Sequence, residues 1–355
     1  MQQQFYFIAC KRPAFIMPET MQAWQFAAPG PIEETLKLVD NVARPTAPLQ
    51  NGQVLVEVGS AGLNPADYKM LQMGFASKAL TSFPGTPGID LSGRVIAVAD
   101  DVTDTKTGDV VLVRLDPTKG PGALSQYVIA DRSSYAVLPP DFDLDLAAGA
   151  PTTALTAYQS IKPYIQTGSK VFINGGSGGV GTIGIQIAKA LGCHVTVSCS
   201  TAKKELCERM GADEIIDYKA GDLVTQLKQN GTIFDHIVDN VGSSVSDLYH
   251  QANHFLKPEG AYVLVGGSAS LSSVKSVVKA KFLPSFLGGG KHQFIVYMTK
   301  NDRDDLVQVT KWLAEGVIKT VIDSTFEFKD AVEAFAYLRK GSTGGKVIVH
   351  VSSKA

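Results

Sequence analysis

Three glycines at a fixed spacing are the residues with the clearest chemical meaning in this sequence. They lie in the stretch 170–192, between a short apolar run and a segment whose apolar residues recur at helical spacing. In a strand–turn–helix unit, the G-x-G-x-x-G pattern permits a tight turn, lets a pyrophosphate approach the backbone and lets the helix pack closely on the strand. The pattern predicts dinucleotide binding rather than a plain glycine-rich turn. The predicted phosphate-binding turn comprises Gly176, Ser177, Gly178, Gly179, Val180 and Gly181.

The segment after this motif lacks the carboxylate that would favour NAD. An acidic residue about 20 residues past the motif binds the ribose hydroxyls of NAD, but no Asp or Glu lies between Gly181 and Lys204. Two lysines at the predicted helix start oppose the helix dipole, unless an anion lies nearby. NADPH is therefore favoured over NADH, and the alternative is a solvated helix start. The groups that suit a 2′-phosphate are Ser198, Ser200, Thr201, Lys203 and Lys204.

The bulk composition limits the class of protein and its partners. A chain of 355 residues is too long for one compact domain, so two domains are expected. Apolar residues make up 45% and charged residues 19%, which is ordinary for a soluble globular protein. The formal net charge of −1 lacks the basic excess of nucleic-acid binders, and no apolar run has the length of a membrane span. We therefore expect neither nucleic acid nor a membrane as a partner.

The first 20 residues are interpreted as a loose extension of a cytoplasmic protein. Their apolar patch, residues 5–10, precedes Lys11 and Arg12, which is the reverse of the order in a secretory signal. Organelle targeting by this extension is the alternative. The four cysteines include no C-x-x-C pair, so a four-cysteine zinc site is not supported. Buried, reduced thiols are expected at Cys10, Cys193, Cys199 and Cys207.

Before residue 146, the pattern predicts antiparallel β-structure. Short alternating segments separated by Gly and Pro turns indicate a small barrel-like fold. Residues 147–161 have a helical composition, and Pro163 limits that helix. The predicted strands of this part are 53–58, 91–98, 109–113 and 122–129.

From the glycine motif onwards, strands and helices alternate, which predicts a parallel, doubly wound α/β sheet. Its further strands are predicted at 194–198, 214–216, 234–238 and 261–265. Helices are predicted at 203–210, 301–315 and 329–340, and a last strand at 345–351. Ligands of such sheets bind at the carboxyl ends of the strands. This rule predicts cofactor contacts from Asn240, Gly266, Gly267 and Ser268.

The order of these parts resembles the medium-chain dehydrogenase/reductase superfamily, and within it the zinc-free quinone oxidoreductase (ζ-crystallin-like) branch, which includes fungal trans-acting enoyl reductases. The resemblance runs from about Met21 to Val351. It implies a GroES-like β-rich catalytic domain over 1–150 and 297–355, and a Rossmann domain over 151–296. The loop 281–290 would be a substrate lid, a subunit contact or an ordinary surface loop. The most specific segments are GLNPADYK (62–69), PGIDLSGRV (87–95), ALTAY (154–158), MGADEIIDY (210–218) and GGKVIV (344–349).

The sequence departs from the zinc-dependent alcohol dehydrogenases of this superfamily at the metal ligands. Those enzymes have cysteine where this chain has Asn64, histidine where it has Ile89, and a second cysteine near Pro151. Ile89 cannot bind a metal, and the cysteine-rich structural zinc lobe is missing. A metal-polarised alcohol reaction is therefore not expected. Quinones and conjugated enones fit instead, because hydrogen bonds alone can stabilise their carbonyl oxygen.

The resemblance implies three residues of the catalytic cleft. Asn64 resembles the Asn that lines the nicotinamide and substrate cleft, and a turn Asn before Pro65 is the alternative. Tyr68 would donate a proton or hydrogen bond to the carbonyl oxygen, with a packing Tyr as the alternative and solvent as another proton source. Thr156 matches the Thr that contacts the nicotinamide carboxamide, or is a residue of the helix interior.

The resemblance also implies contacts to the rest of the cofactor. Lys204 and Tyr218 match the pair that holds the adenosine 2′-phosphate in quinone reductases, and Ser200 would join them. Lys346 lies in the segment that returns near the cofactor in relatives, with a surface-strand lysine as the alternative.

Together, the residues and the resemblance predict a zinc-independent NADPH-dependent oxidoreductase that transfers hydride to a quinone or an α,β-unsaturated carbonyl. Two alternatives stay open: a trans-acting enoyl reductase on a carrier-bound polyketide chain, and a non-enzymatic NADPH-binding (crystallin-like or RNA-binding) protein. The resemblance implies a homodimer formed through the edge of the nucleotide-binding sheet, with strand 261–265 and the segment after it as candidates. A monomer is the alternative.

Overall fold

The structure is a computed structural model, and the statements below refer to the residues that it describes. The predictions for Cys10, Gly267, Ser268 and the loop 281–290 lie outside those residues. The described residues are 19–46, 48–73, 77, 82–116, 121–242, 245–266 and 292–352.

The first part of the chain is antiparallel β-structure, as predicted. Two strands, β1 and β2, form a hairpin sheet, and the following strands join a larger sheet in which β3 is the central element. β3 pairs with β4 along most of its length and also with β6. These strands are β1 (Thr20–Phe26), β2 (Leu36–Ala43), β3 (Val54–Leu63), β4 (Asp90–Val98), β5 (Val110–Arg114), β6 (Tyr127–Ala130) and β7 (Tyr135–Leu138).

The prediction of a strand over 122–129 is wrong for the first half of that range, because the observed strand, β6, begins at Tyr127. Ala123 and Leu124 donate their N–H groups to the carbonyls of Gly88 and Pro87. Gly122 is packed so closely that a Cβ atom there would lie 2.4 Å from the Thr86 carbonyl oxygen. These residues form a loop against the turn 86–88, so strand pairing begins only at Tyr127.

The end of the chain joins the same sheet. β14 (Ile322–Glu327) pairs in parallel with β15 (Lys346–His350), and β15 pairs antiparallel with β3. The sheet order is β14-β15-β3-β4-β5-β7. This pairing brings residues of the last strand beside the end of β3, where GLNPADYK begins. The domain limits at 150/151 and 296/297 stay a prediction.

The middle of the chain forms the predicted parallel sheet. Its order is β10-β9-β8-β11-β12-β13, so the first strand of the motif unit, β8, lies near the centre. The strand 261–265 lies inside this sheet, as part of β12, because β13 pairs beside it and forms the edge. Strand β12 is therefore not the edge strand, and the prediction of a subunit contact through strand 261–265 at the sheet edge is wrong. The strands are β8 (Lys170–Asn174), β9 (His194–Cys199), β10 (Glu214–Asp217), β11 (Phe234–Asp239), β12 (Leu256–Leu264) and β13 (Gln293–Val296).

The predicted single helix over 147–161 is two helices. A break at Gly149 and Ala150 separates them, and Pro151 occupies the first turn of the second, where its missing N–H costs nothing. The helices of the described residues are α1 (Ile32–Thr35), α2 (Pro65–Lys69), α3 (Leu144–Ala148), α4 (Pro151–Ile161), α5 (Gly179–Ala190), α6 (Lys204–Arg209), α7 (Leu223–Asn230), α8 (Val245–His250), α9 (Arg303–Ala314) and α10 (Ala331–Arg339).

Helix α4 is the element that connects the two sheets. It contacts β4 and β5 of the antiparallel sheet and β11 and α5 of the parallel unit. Leu155 and Ile161 are at most 1% exposed, and each such side chain contributes about 1.5–3 kcal/mol by leaving water. Because α4 is held by both sheets, residues in its first turns lie where the two parts of the molecule meet.

Candidate cofactor and substrate site

The glycine motif forms the predicted strand–turn–helix unit. β8 ends at Asn174, Gly178 is the N-cap, and α5 begins at Gly179. A Cβ atom at Gly181 would lie 2.2 Å from the Gly175 carbonyl oxygen, so the third glycine is needed for close packing. At Gly178 the nearest atom to such a Cβ is 3.7 Å away, an ordinary van der Waals distance, so packing within the protein does not require glycine there. A glycine at this position would instead let a phosphate approach the backbone. The first N–H groups of an α-helix such as α5 lack intrahelical acceptors, which makes them available to an anion at this turn.

The first position of the motif works differently from the prediction. The residue with left-handed backbone conformation is Gly175, with φ of +81°, one position before the motif. Gly176 is required instead because a Cβ atom there would lie 2.7 Å from Val197 Cβ. The tight turn and the close approach to β9 therefore fall on two successive glycines.

Asn240 follows β11 at the same edge of the sheet and fits a bound ligand. Its Oδ1 and Nδ2 atoms are inaccessible to solvent and have no hydrogen-bond partner within the described part of the chain. The backbone carbonyl oxygen of Asn240 would lie 1.9 Å from a Cβ atom built at Gly266, so the turns after β11 and β12 touch each other. A buried amide without partners is costly, and a polar cofactor at this edge would relieve that cost. The residues that follow β11 and β12 therefore fit a bound dinucleotide.

The predicted 2′-phosphate contacts come together at the ends of two paired strands. Cys199 and Asp217 are register partners of β9 and β10. Ser200 and Tyr218 are the residues directly after them, and Lys204 begins α6 just beyond. Tyr218 is 47% exposed, so its ring is available at the surface. Binding of the phosphate by these three residues stays a prediction.

The structure adds a carboxylate to this corner that the sequence interpretation missed. Asp217 accepts a hydrogen bond from Thr201 Oγ1 at 2.7 Å, and its Oδ2 lies 3.0 Å from Lys204 Nζ. The Thr201 hydroxyl, followed by the Lys204 ammonium and the Lys219 N–H, holds the pKa of Asp217 at about 2. Asp217 was missed because it does not lie in the segment after the motif but at the end of the adjacent strand β10. Its signal was its place directly before Tyr218.

A second cluster of polar side chains joins α2, β4, α4 and β15. Lys346 Nζ donates to Asn64 Oδ1 at 2.7 Å and lies 3.3 Å from Asp90 Oδ2. Asn64 Nδ2 donates to Asp90 Oδ2 at 2.9 Å. Asp90 Oδ1 accepts from both the N–H and the hydroxyl of Thr152, at 3.0 and 2.6 Å. The carboxylate thereby satisfies an N–H group in the first turn of α4, where negative charge is favourable.

This cluster is shielded from water. The Lys346 and Asp90 side chains are 4% and 0% exposed, and Asn64 is 5% exposed. The stem of Lys346 packs close to the glycine turn: a Cβ atom at Gly179 would lie 3.1 Å from Lys346 Cδ. Lys346 therefore connects the phosphate-binding turn with Asn64, although its ammonium faces Asn64 and Asp90. Its contact with the cofactor stays a prediction.

Asp67 is a buried carboxyl beside this cluster. Its Oδ2 accepts the Asn64 N–H at 2.7 Å and thus stabilises the start of α2. Oδ1 has no hydrogen-bond partner among the described residues. Burial raises the pKa of Asp67 to about 7, against the lowering effect of the Asn64 N–H. Its carboxyl group therefore keeps its proton to a higher pH than an exposed aspartate does.

The other two predicted catalytic residues have different surroundings. Tyr68 packs on the core of the antiparallel sheet, and the Arg339 guanidinium carbon lies 5.9 Å from its ring centre. Burial raises the pKa of Tyr68. Thr156 Oγ1 lies 2.5 Å from Thr299 Oγ1, so α4 is joined to the segment after β13. Their catalytic roles stay predictions.

Arg114 is a further charged group in this region that sequence reasoning missed. It is 9% exposed at the end of β5. Its Nε donates to Thr152 Oγ1 at 3.2 Å and its Nη1 to Asn301 Oδ1 at 2.6 Å. Burial lowers the pKa of Arg114, while nearby Asp90 opposes this effect. Only the folded chain brings these residues together, because Arg114 and Asn301 are 187 positions apart.

The positions that resemble metal-ligand positions hold other chemistry. Ile89 is 3% exposed and apolar, and Pro151 is the first residue of α4. In the ranges that the structure covers, no group of three His, Cys, Asp or Glu side chains could hold a metal ion. The three cysteines of these ranges, Cys193, Cys199 and Cys207, are free and buried, as predicted.

Comparison with known proteins assigns this chain to a family. "Alcohol dehydrogenase GroES-like domain" describes residues 50–140, and "Zinc-binding dehydrogenase" describes residues 210–349. Together with the relatives below, these matches show that the chain belongs to the medium-chain dehydrogenase/reductase superfamily. The resemblance inferred from the sequence motifs is confirmed at this level, as are the GroES-like and Rossmann parts of the fold.

The individual relatives narrow the class further. Trans-enoyl reductase pgmF of Aspergillus terreus is 41% identical over 352 residues, which cover 95% of this chain and 98% of that protein. The human mitochondrial NAD(P)H oxidoreductase RTN4IP1 is 33% identical, covering 93% of this chain and 89% of that protein. The quinone oxidoreductase structure from Coxiella burnetii has a TM-score of 0.79 at 29% identity, covering 94% and 99%. This protein is an oxidoreductase with a nicotinamide cofactor.

None of the helices among the described residues is long and apolar enough to cross a membrane.

Proposed function

We propose that this protein is a zinc-independent NADPH-dependent reductase of quinones or α,β-unsaturated carbonyl compounds. The observation that carries this proposal is the hydrogen-bonded cluster of Asn64, Asp90 and Lys346. It occupies the region where zinc-dependent relatives place metal ligands, and the neighbouring Ile89 offers no donor atom. An acceptor reduced at this site must therefore have its carbonyl oxygen stabilised by hydrogen bonds or positive charge from the protein.

Bound NADPH would supply the hydride, and the protein's residues would bind and orient it. The glycine turn and the first N–H groups of α5 would hold the pyrophosphate. The Asn240 amide, which has no hydrogen-bond partner among the described residues, would bind a polar group of the cofactor beside that turn. Thr156, fixed by Thr299, would orient the carboxamide end. The Lys346 ammonium would favour negative charge developing on a nearby carbonyl oxygen, and Tyr68 or solvent would supply the final proton.

The preference for NADPH rests on the corner formed by Ser200, Lys204 and Tyr218. A hydroxyl, an ammonium and an exposed aromatic ring suit a 2′-phosphate at the end of β9. Asp217 already neutralises part of the Lys204 charge, so the preference over NADH should depend on how these two side chains share the phosphate. Salt should strongly screen the attraction between Lys204 and the 2′-phosphate, because the Lys204 side chain is 42% exposed.

A second candidate is a trans-acting enoyl reductase that accepts a carrier-bound polyketide chain. The 41% identity with a protein of that name over nearly the full length favours it. It shares the hydride chemistry of the first candidate and differs in the size of the acceptor. A homodimer through the exposed edge strand β13 is proposed for either candidate, since Val296 is 43% exposed there.

NADPH oxidation with a panel of quinones, enones and enoyl thioesters tests this function. Turnover that survives removal of metals by a chelator is expected, and preference for a carrier-bound thioester would select the second candidate. No turnover with any acceptor, together with no shift of the melting temperature on adding NADPH, would refute the proposal. Lys204→Glu should weaken NADPH selectively, whereas Lys228→Glu, a variant of the exposed α7 lysine, should not.

A further inference from the structure

A row of four buried polar side chains crosses the parallel sheet below the cofactor turns. Each comes from one strand, and the strands are neighbours in the order β9-β8-β11-β12. Ser198 Oγ donates to Asn174 Oδ1 at 2.5 Å, and Asn174 Nδ2 donates to Asp239 Oδ1 at 2.8 Å. Tyr262 OH donates to Asp239 Oδ2 at 2.7 Å. All four side chains are at most 4% exposed.

Asp239 is the centre of this row. Besides the two side chains, it accepts the N–H groups of Val241 and Gly242, both at 3.0 Å, through Oδ1. A carboxylate that is 0% exposed is costly to bury unless its oxygens are hydrogen-bonded. Burial and the Asp239 carboxylate raise the pKa of Tyr262, so this phenol stays protonated and acts as a donor. The row is internally satisfied, and the glycine motif did not predict it.

The row contacts the backbone of the turns on which the cofactor site depends. At one end, Ser198 Oγ accepts the N–H of Gly175, the left-handed residue before the motif. In the middle, Asp239 accepts N–H groups of the turn that begins at Asn240, whose side-chain amide has no partner within the part of the chain that the structure describes. The turns also touch each other, since a Cβ atom at Gly175 would lie 2.8 Å from Val241 Cγ2.

We propose that the side chains of Ser198, Asn174, Asp239 and Tyr262 act as one positioning unit for the cofactor turns. The unit fixes the glycine turn and the Asn240 turn relative to each other before the cofactor binds. None of the four is assigned a contact with the reacting atoms. The inference rests on the proposed cofactor site and adds that residues at opposite ends of the row are energetically coupled.

Coupling distinguishes a unit from four separate structural contacts. Ser198 and Tyr262 are three strand spacings apart, about 14 Å. Substitutions at that distance without shared partners are usually additive. If the row is one unit, breaking it at either end releases the same constraint, so the second substitution adds little.

The test is a double-mutant cycle on the dissociation constant of NADPH, measured by fluorescence on Ser198→Ala, Tyr262→Phe and the double variant. Each single variant is expected to weaken NADPH about five- to tenfold, the loss of about one buried hydrogen bond. The dissociation constant of the double variant is expected to equal that of the single variant with the lower NADPH affinity. It should not increase by the product of the two single effects. With saturating NADPH, the turnover number should change less than the dissociation constant.

Tyr249→Phe is the matched control. Tyr249 is 2% exposed, its ring lies 5.2 Å from that of Tyr262, and its hydroxyl donates to the His292 carbonyl rather than to the row. It should lower the melting temperature about as much as Tyr262→Phe, while leaving NADPH affinity within about twofold. Equal affinity in all variants, additive effects in the cycle, or an equal loss of affinity in Tyr249→Phe would each overturn the inference. Failure of the wild-type protein to bind NADPH or NADH would instead overturn the proposed function, and the inference with it.

Discussion

Lys346 donates a hydrogen bond to Asn64 over 2.7 Å, although the two residues are 282 positions apart in the chain. The last strand of the protein thus completes the surroundings of a residue in the first sheet. Both partners also contact Asp90, whose carboxylate caps the helix that joins the two sheets. The stability of the region between the sheets and the orientation of Asn64 therefore depend on one buried ammonium group.

Lys346→Met should destabilise the protein by about 3 kcal/mol. Removing one partner of a buried ion pair leaves the other charge without compensation, which is more costly than losing an exposed pair. Urea unfolding at neutral pH measures this as a lower midpoint with an unchanged slope.

Lys311→Met is the control for the loss of a lysine charge. Its side chain is 65% exposed and pairs with Glu315 at 3.8 Å on the surface of α9, so the change in unfolding free energy should stay within about 0.5 kcal/mol. Equal changes in the two variants would mean that the buried cluster of Asn64, Asp90 and Lys346 stabilises the fold no more than a surface pair does.

The elements of this fold were predictable where the signal is local. The turn after β8 and the end of α5 follow from the positions of glycines, and Gly192 adopts a φ of +81° just after the C-cap residue, Leu191. Strand and helix alternation is likewise a property of short windows, so it predicted the parallel sheet. The break between α3 and α4 was missed because alanine-rich residues before Pro151 have high helical propensity, which says nothing about where α4 must begin to meet Asp90.

The side-chain partners of the site were not predictable from local pattern. Asp217 reaches Lys204 because β10 pairs with β9 in a particular register. Asp239 collects donors from two further strands, and Arg114 finds Asn301 across the chain. Such contacts are set by strand order and register, which no window of the sequence contains. Charge in the sequence therefore predicted which residues would bind the 2′-phosphate, but not which of them are already paired.

Asp217→Asn should strengthen the binding of NADPH about three- to tenfold and change NADH binding little. The low pKa of Asp217, about 2, keeps it ionised throughout the neutral range. A carboxylate this close to Lys204 competes with a 2′-phosphate for the ammonium and repels the phosphate charge. Titration of both cofactors at low and high salt measures the effect, which should shrink as salt screens it.

Glu205→Gln controls for the loss of a carboxylate close to Lys204, because Glu205 follows Lys204 in α6, is 82% exposed and pairs with Arg209. It should leave the ratio of the two affinities unchanged. Weaker NADPH binding by Asp217→Asn would show the opposite of the expectation, namely that the carboxylate holds Lys204 in its binding position.

Ionisation of the buried Asp67 carboxyl should lower the free energy of unfolding as pH rises, and Asp67→Asn should remove this contribution. Burial raises the pKa of Asp67 from 3.8 to about 7 in the folded protein, so between these values the folded state binds more protons than the unfolded state. The contribution is present below pH 4 and is lost as pH rises through 7; each pKa unit corresponds to about 1.4 kcal/mol, which gives roughly 4 kcal/mol in total. An Asn can still accept the Asn64 N–H, so the helix start should be retained.

The measurement is the free energy of unfolding of both proteins at several pH values from 4 to 8. The difference between variant and wild type should grow in favour of the variant as pH rises. A difference that is constant with pH would mean that Asp67 titrates normally in the folded state.

His236→Gln should remove a loss of stability that occurs as pH falls, which is the opposite of the effect of Asp67→Asn. The ring is 0% exposed, with Nδ1 3.0 Å from the Ala261 carbonyl and Nε2 2.7 Å from the Ser160 carbonyl. Burial lowers the pKa of His236 from 6.5 to about 4, although the two carbonyls act against it. The unfolded state therefore binds more protons between these values, and the contribution present above pH 6.5, roughly 3 kcal/mol, is lost as pH falls towards 4.

Because Asp67 and His236 act with opposite sign over nearly the same range, their effects offset each other in the wild-type protein. Its stability should change little between pH 4 and 6.5 on their account. Asp67→Asn should then make stability fall towards pH 4, and His236→Gln should make it fall towards pH 7. Unfolding curves of the two single variants and the double variant separate the contributions, since the double variant should lose both slopes. Parallel profiles for all four proteins would contradict the assignment of both groups. A wild-type stability that falls towards pH 4, together with a flat profile for His236→Gln, would assign the slope to the histidine alone.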